Sequence, residues 1–285
     1  MTNEELKKVI VSDEFYKYRN QFIKSINKGP FFKYISPEKS PGEFDIKNIA
    51  LFKAAVEQGY DDAKRTFTGI GAKWGKTLDK NAIFTMLADK IQDAFQKKED
   101  FDDWHKDTCN SFISELEKQY SVTYGQAQKV INMAFKYLYC LDGADAEEYK
   151  IIFDKCHMPL DSYTIEWIFQ ELYPHYTFSE KISSDTQKGK NFYKKYTPAW
   201  SNLKVPKDEN AFLDEDNNYS YELLKNLVNF HLQDIPPLKA EFVIWPEIQL
   251  ELATKEFLST LKKYNNTDKI KTIIDKIKNI DENDD

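Results

Sequence analysis

The sequence predicts an all-α fold, a multi-helix globular protein. Three observations lead there. Apolar residues recur at helical spacing through most of the chain, as Phe15, Phe22 and Ile26 do near i, i+7 and i+11. Start and stop signals bracket these runs, such as Thr123 with Gln126 three residues on, or Gly29 followed by Pro30. Strand composition is confined to Val243, Ile244 and Trp245, too short a stretch to change the class. A chain of 285 residues buries a substantial core, as one large helical domain or as two helical subdomains with a cleft between them.

The elements follow in order. A helix over about 3–27 stops at Lys28-Gly29-Pro30, and the turn-rich SPEKSPGEFD comes next. Helices are expected over about 46–67, 80–98 and 101–119, the last opened by acids that suit a helix N-terminus. The best-defined helix is 124–141, with Val130, Ile131, Ala134, Leu138 and Leu141 as its apolar stripe. A short helix over 144–154 is broken by CHMPLD, and another runs from Ser162 to Leu172, before Pro174. Beyond it, 176–218 reads as loop with short helices and 219–233 as a helix. An irregular, proline-interrupted stretch over 235–250 precedes two final helices near 253–263 and 267–280. The expected organisation is a helical domain 1–175, an irregular and helical C-terminal part 176–280, and an acidic tail 281–285.

Composition narrows the function classes. No run approaches the roughly 18 to 20 apolar residues of a membrane span, and the opening MTNEELKKVIVSDEF has no signal-peptide pattern. Cys109, Cys140 and Cys156 are too few for a disulfide framework, so a cytoplasmic protein is expected. A net charge of -7 argues against a general polyanion binder. A local patch runs the other way: from Lys181 to Lys207 seven lysines, Lys188, Lys190, Lys194 and Lys195 among them, face one acid, Asp185. Phe192, Tyr193, Tyr196 and Trp200 are interleaved with them.

Several candidate sites have plain structural readings. Gly69-Ile70-Gly71-Ala72-Lys73 has the look of a phosphate-binding hairpin, but an ordinary glycine loop explains it more simply. His105 with Cys109, and Cys156 with His157, lack the spacing of a zinc site, so no metal is expected and no cofactor is invoked. The tryptophans (74, 104, 167, 200 and 245) suit base stacking, yet each suits core packing better.

The stretch from Lys129 to Asp161 differs because several features agree. Lys129 lies in the second turn of the 124–141 helix, and Asn132 and Lys136 share its face at i+3 and i+7. Asp161 follows Pro159 and opens the next helix, where free amides and the dipole favour a carboxylate. A lysine there becomes a nucleophile only when desolvation or a cationic neighbour such as Lys136 keeps it partly neutral. The plainer readings are a solvated lysine and a simple N-cap.

The segment YGQAQKVINMAFKYLYCLDGADAEEYKIIFDKCHMPLDSYTIEWI resembles the catalytic region of the helix-hairpin-helix (HhH-GPD) DNA glycosylases. It is most like the archaeal 8-oxoguanine DNA glycosylases, in which Gln-Lys opens one helix and Pro-x-Asp the following one. Here these are Gln128-Lys129 and Pro159-Leu160-Asp161. The resemblance covers about 45 of the 285 residues, and the Leu-Pro-Gly-x-Gly hairpin of most family members is missing before Lys129. It implies a DNA N-glycosylase/AP lyase with Lys129 as nucleophile and Asp161 as its electrostatic partner. Gln128, Asn132, Lys136, His157, Trp104 and Trp167 would line the base pocket. Lys188, Lys190, Lys194 and Lys195 would contact the phosphates of DNA. The rival expectations are a non-catalytic helical protein that binds a protein or nucleic-acid partner, and a metal-dependent hydrolase built on the His/Cys pairs.

Overall fold

Thr2 opens the first helix with a capping box, its hydroxyl accepting from Glu5 N–H while the Glu5 carboxylate accepts from Thr2 N–H. In the computed structural model this helix, α1 (Asn3–Ile10), ends where Ser12 intervenes, and α2 (Glu14–Ser25) starts afresh. The single helix expected over 3–27 is thus two. The Ser12 hydroxyl donates to Val9 O and accepts from Glu14 N–H, local bonds that compete with the helical ladder. The structure describes residues 2–35, 41–96, 100–172, 197–206, 213–216 and 218–263. The lysines Lys188, Lys190, Lys194 and Lys195, the helix expected over 267–280 and the acidic tail lie outside the described residues.

The remaining helices are α3 (Phe32–Ile35), α4 (Ile49–Ala63), α5 (Lys80–Gln96), α6 (Phe101–Glu117), α7 (Tyr124–Tyr139), α8 (Glu147–Phe153), α9 (Ser162–Trp167), α10 (Tyr221–Leu232) and α11 (Pro237–Lys263). A π-turn over Ile168–Leu172 extends α9. Among the described residues the protein is mainly helical and has no sheet, only isolated bridges such as Glu43 with Asp142. No described helix is long and apolar enough to cross a membrane.

The 235–250 stretch is not irregular. Pro237 sits at the first position of α11, where its missing N–H is no loss, and Leu238, Ala240, Phe242, Val243 and Ile244 are buried. Burial of this run on a helix overrides the strand composition of Val243 and Ile244, and the helix continues through Pro246. Internal contacts divide the chain into Met1–Ile244 and Trp245–Asp285. In the second unit the α11 residues Leu250, Phe257 and Leu258 are exposed.

Within the first unit α7 is the central element. Every residue from Tyr124 to Tyr139 is buried, including Gln128, Lys129, Asn132 and Lys136. α4 makes the most extensive helix contact with it, and Gly59 permits the close approach, because a Cβ there would lie 2.5 Å from Val130 O. On another side of α7 the Gly125 N–H donates to Leu203 O, and a Cβ at Gly125 would lie 1.9 Å from Trp200 O. Edge-to-face and tilted contacts among Phe44, Phe52, Phe95, Phe135 and Phe153 fill the core at the other end of the helix. A polar stripe therefore enters the middle of the core.

Candidate active site

The Lys129 amine meets the Asp161 carboxylate at 2.8 Å, with the two side chains 7% and 11% exposed. Two local devices bring them there. Thr123 and Gln126 form a capping box that starts α7 and places Lys129 in its second turn. Asp161 is the N-cap of α9, its backbone extended at φ -135 and ψ -170. Asp161 Oδ1 accepts from Tyr163 N–H at 2.9 Å and Thr164 N–H at 3.1 Å, while Oδ2 accepts from Lys129. The Thr164 hydroxyl closes the reciprocal half of the cap, accepting from Asp161 N–H at 2.7 Å. Neither plain reading is sufficient, because Lys129 is buried and Asp161 serves as cap and counter-ion at once.

Gln128 occupies the seam between α7 and the Pro159-Leu160-Asp161 strand of chain. Its carboxamide donates to Leu160 O at 2.9 Å and to Gly125 O at 3.0 Å. Its oxygen accepts from Leu160 N–H at 3.3 Å and from Asn132 Nδ2 at 2.9 Å. Both donors and both lone pairs are used, which fixes the orientation of the amide. With Asn132 Nδ2 donating, Asn132 Oδ1 is the acceptor for His105 Nε2–H at 2.8 Å, and His105 Nδ1 then accepts from the Tyr124 hydroxyl at 3.3 Å. Burial pushes the His105 imidazole well below its usual pKa, with the neighbouring His157 charge adding to the effect, so the ring is neutral as this arrangement requires.

The network continues outward. Asn132 Nδ2 reaches the Tyr221 hydroxyl at 3.4 Å, which donates to His157 Nδ1 at 2.9 Å. His157 Nε2–H donates to Asp102 Oδ1 at 2.6 Å, and Lys225 holds Asp102 Oδ2 at 2.7 Å. The His157 hydrogen bond chiefly, with Lys225 contributing, keeps the Asp102 carboxyl well below the usual carboxylate range. Burial lowers the pKa of His157 despite that carboxylate. The Asp102 side chain is about half exposed, and it lines a cavity of about 450 Å³ with Phe101, Asp154 and Asp234.

The structure gathers Gln128, Lys129, Asn132, His157 and Asp161 in one connected system. The other candidates lie elsewhere. Lys136, named as the cationic tuner of Lys129, forms an ion pair with the buried Glu241, its amine 4.0 Å from the centre of the Phe22 ring and 4.8 Å from that of Phe242. It still acts at a distance: both Lys129 and Lys136 lower the pKa of Glu241 against the larger upward effect of burial, and both do the same at Asp62. Trp104 packs against Phe101 and Phe135 and donates its N–H to Lys90 O. Trp167 is buried edge-on against His231. Gly69 precedes and Gly71 lies within a short turn, Ile70–Ala72, and neither glycine has a neighbour within 4 Å of a built Cβ, as in an ordinary loop. Of the two His/Cys pairs, His105 and Cys109 touch at 3.8 Å, and the Cys156 thiol donates to Ile152 O.

Sequence reasoning missed Tyr221, Asp102 and Lys225 as parts of this system, and Glu241 as the partner of Lys136. Asp102 carried a signal only as a helix-opening acid. No family model matches the chain, and comparison with curated proteins and with solved structures gives no match.

Proposed function

We propose that this chain is a DNA glycosylase with an associated lyase step, acting through Lys129 and Asp161. The observation that carries the reading is the 2.8 Å contact between Lys129 Nζ and Asp161 Oδ2, made between the start of α7 and the start of α9 with the short α8 between them. The chemistry needs a neutral amine close to the sugar. Asp161 Oδ1 accepts from two backbone donors, which leaves Oδ2 directed at Lys129 to take its proton. The freed amine attacks C1′ as the glycosidic C–N bond breaks, and the base leaves with the bonding pair and a proton. Opening of the sugar ring then gives a Schiff base, from which elimination of the 3′ phosphate breaks the strand. During the attack the carboxylate stabilises the positive charge at C1′. The nucleotide must leave the stack first, at a cost of a few kcal/mol. Lys188, Lys190, Lys194 and Lys195 would hold its phosphates, so binding would weaken steeply with salt.

The test is borohydride trapping on oligonucleotides carrying abasic sites or oxidised bases. A covalent adduct that disappears in Lys129→Gln is expected, and an undiminished adduct in that variant would remove the lysine assignment. A second reading, a non-catalytic helical protein that binds a partner, is favoured by one specific observation. Gln128, Asn132, His157, Trp104 and Trp167 all have internal partners. Absence of base release and nicking across a broad panel would favour that reading.

A further inference from the structure

We infer that Gln128 is a positioning residue, which sets the Asp161 carboxylate against the Lys129 amine by clamping the Leu160 peptide. The inference rests on the glycosylase reading only for its consequence in catalysis. The geometry stands by itself. Gln128 grips the residue before Asp161 at both backbone groups, donating to Leu160 O at 2.9 Å and accepting from Leu160 N–H at 3.3 Å. This is the pairing a neighbouring strand would offer, supplied here by one side chain on the helix that carries Lys129. The grip holds the chain extended into Asp161, where Oδ1 turns onto the α9 amides and Oδ2 onto the amine. Lys129 and Gln128 are consecutive, so the clamp and the amine move as one body with α7.

The clamp works only with the amide in one orientation. Flipped, its oxygen would face Leu160 O and Gly125 O, and its nitrogen would face Leu160 N–H and the Asn132 amide donor. Asn132 enforces the observed orientation, and it is fixed in turn by His105 on its oxygen and Tyr221 on its nitrogen. Gln128, Asn132, His105 and Tyr221 are each buried, so no water competes for these bonds. A chain of six side chains, from Asp102 through His157, Tyr221, Asn132 and Gln128 to Asp161, thus leads to the candidate nucleophile through a single peptide.

The test reads the Lys129 amine directly. Trace labelling with acetic anhydride across pH, followed by peptide mass spectrometry, gives the relative reactivity of each lysine in the folded chain. Gln128→Met keeps the length of the side chain and removes all four bonds. With the carboxylate no longer held against it, the amine loses a charge-assisted hydrogen bond, and Lys129 is expected to label about tenfold faster. Lys136, on the same helix as Lys129 but paired with Glu241 of α11, should keep its native rate. Tyr221→Phe, which removes one hydroxyl and keeps the ring, should raise Lys129 reactivity by about half that factor on a logarithmic scale. An unchanged Lys129 profile in both variants overturns the inference. So does a parallel rise at Lys129 and Lys136, which a general loosening of the core would produce. Trapping of abasic DNA by the unaltered chain is measured alongside. Failure there with the expected labelling overturns the glycosylase reading alone, and trapping with unchanged labelling overturns the clamp alone.

Discussion

Asp161 joins Lys129 through one carboxylate oxygen and starts α9 with the other. The two tasks are separable by substitution. Asparagine is as good an N-cap as aspartate, so Asp161→Asn keeps the helix start and removes only the counter-charge. A lysine left buried without its partner costs about 3 kcal/mol. Asp161→Ala loses the cap as well and should cost about 1 kcal/mol more. Urea unfolding of the two variants measures the difference, and equal stabilities would mean that the cap contributes nothing.

Gly125 on α7 and Gly59 on α4 each permit a close backbone approach at α7. Alanine at Gly125 would place its Cβ 1.9 Å from Trp200 O, and at Gly59 it would lie 2.5 Å from Val130 O. Both obstacles are backbone atoms, which cannot swing aside. Each substitution should destabilise by about 1 to 3 kcal/mol or more. Gly71→Ala, with open space around the new methyl, should be neutral to within about 0.5 kcal/mol. Thermal melts of the three variants check the order, and a stable Gly125→Ala protein would contradict the packing of α7 described above.

Protonation of the buried histidines contributes to the acid limb of stability. His105 is held well below the 6.5 of a free imidazole by burial first and by the His157 charge second. The unfolded chain therefore binds a proton that the folded chain refuses. The stability this contributes is present above about pH 6.5 and is lost as pH falls toward the folded value. His105→Gln removes that proton from the balance. The slope of unfolding free energy between pH 6.5 and 5 should drop, by at most about 1.4 kcal/mol per pH unit, with His157 sustaining the remainder. Parallel slopes in the two proteins would show that His105 takes up a proton in the fold.

The parts that were legible in the sequence were those coded locally. Thr123 and Gln126 announce the start of α7, and Asp161 after Pro159 announces α9, because caps act within three or four residues. Their meeting depended on the path between them, which no local signal fixes. The burial of Lys129, Asn132 and Lys136 was not legible. A stripe of lysine and asparagine on one helix face ordinarily faces water, and only the partners on other elements reverse that. Those partners come from afar: Tyr221 lies 89 residues beyond Asn132, and Asp102 lies 55 before His157. No pattern in the chain marks such pairs. Pro246 misled in a different way, since a proline ends a helix by local rules while α11 runs on through it.

The second buried pair, Lys136 with Glu241, should reveal itself by a pH dependence of opposite sign. Burial already raises the Glu241 carboxyl above its usual 4.5, and Lys136 is the strongest influence opposing that rise. Lys136→Met removes this influence, so the folded pKa of Glu241 climbs further. A raised carboxyl stabilises the fold below the unfolded value and loses that contribution as pH rises through the folded one. The variant should thus lie nearest the native protein around pH 4.5 and fall behind it toward neutrality, by about 3 kcal/mol at pH 7. Adding Glu241→Gln removes the uncompensated charge and should recover more than half of that loss. Denaturant titrations of the single and double variants at pH 4.5 and 7 measure both effects. A loss that is the same at the two pH values, and unrelieved by the second substitution, would place the cost in packing against Phe22 and Phe242 and not in charge.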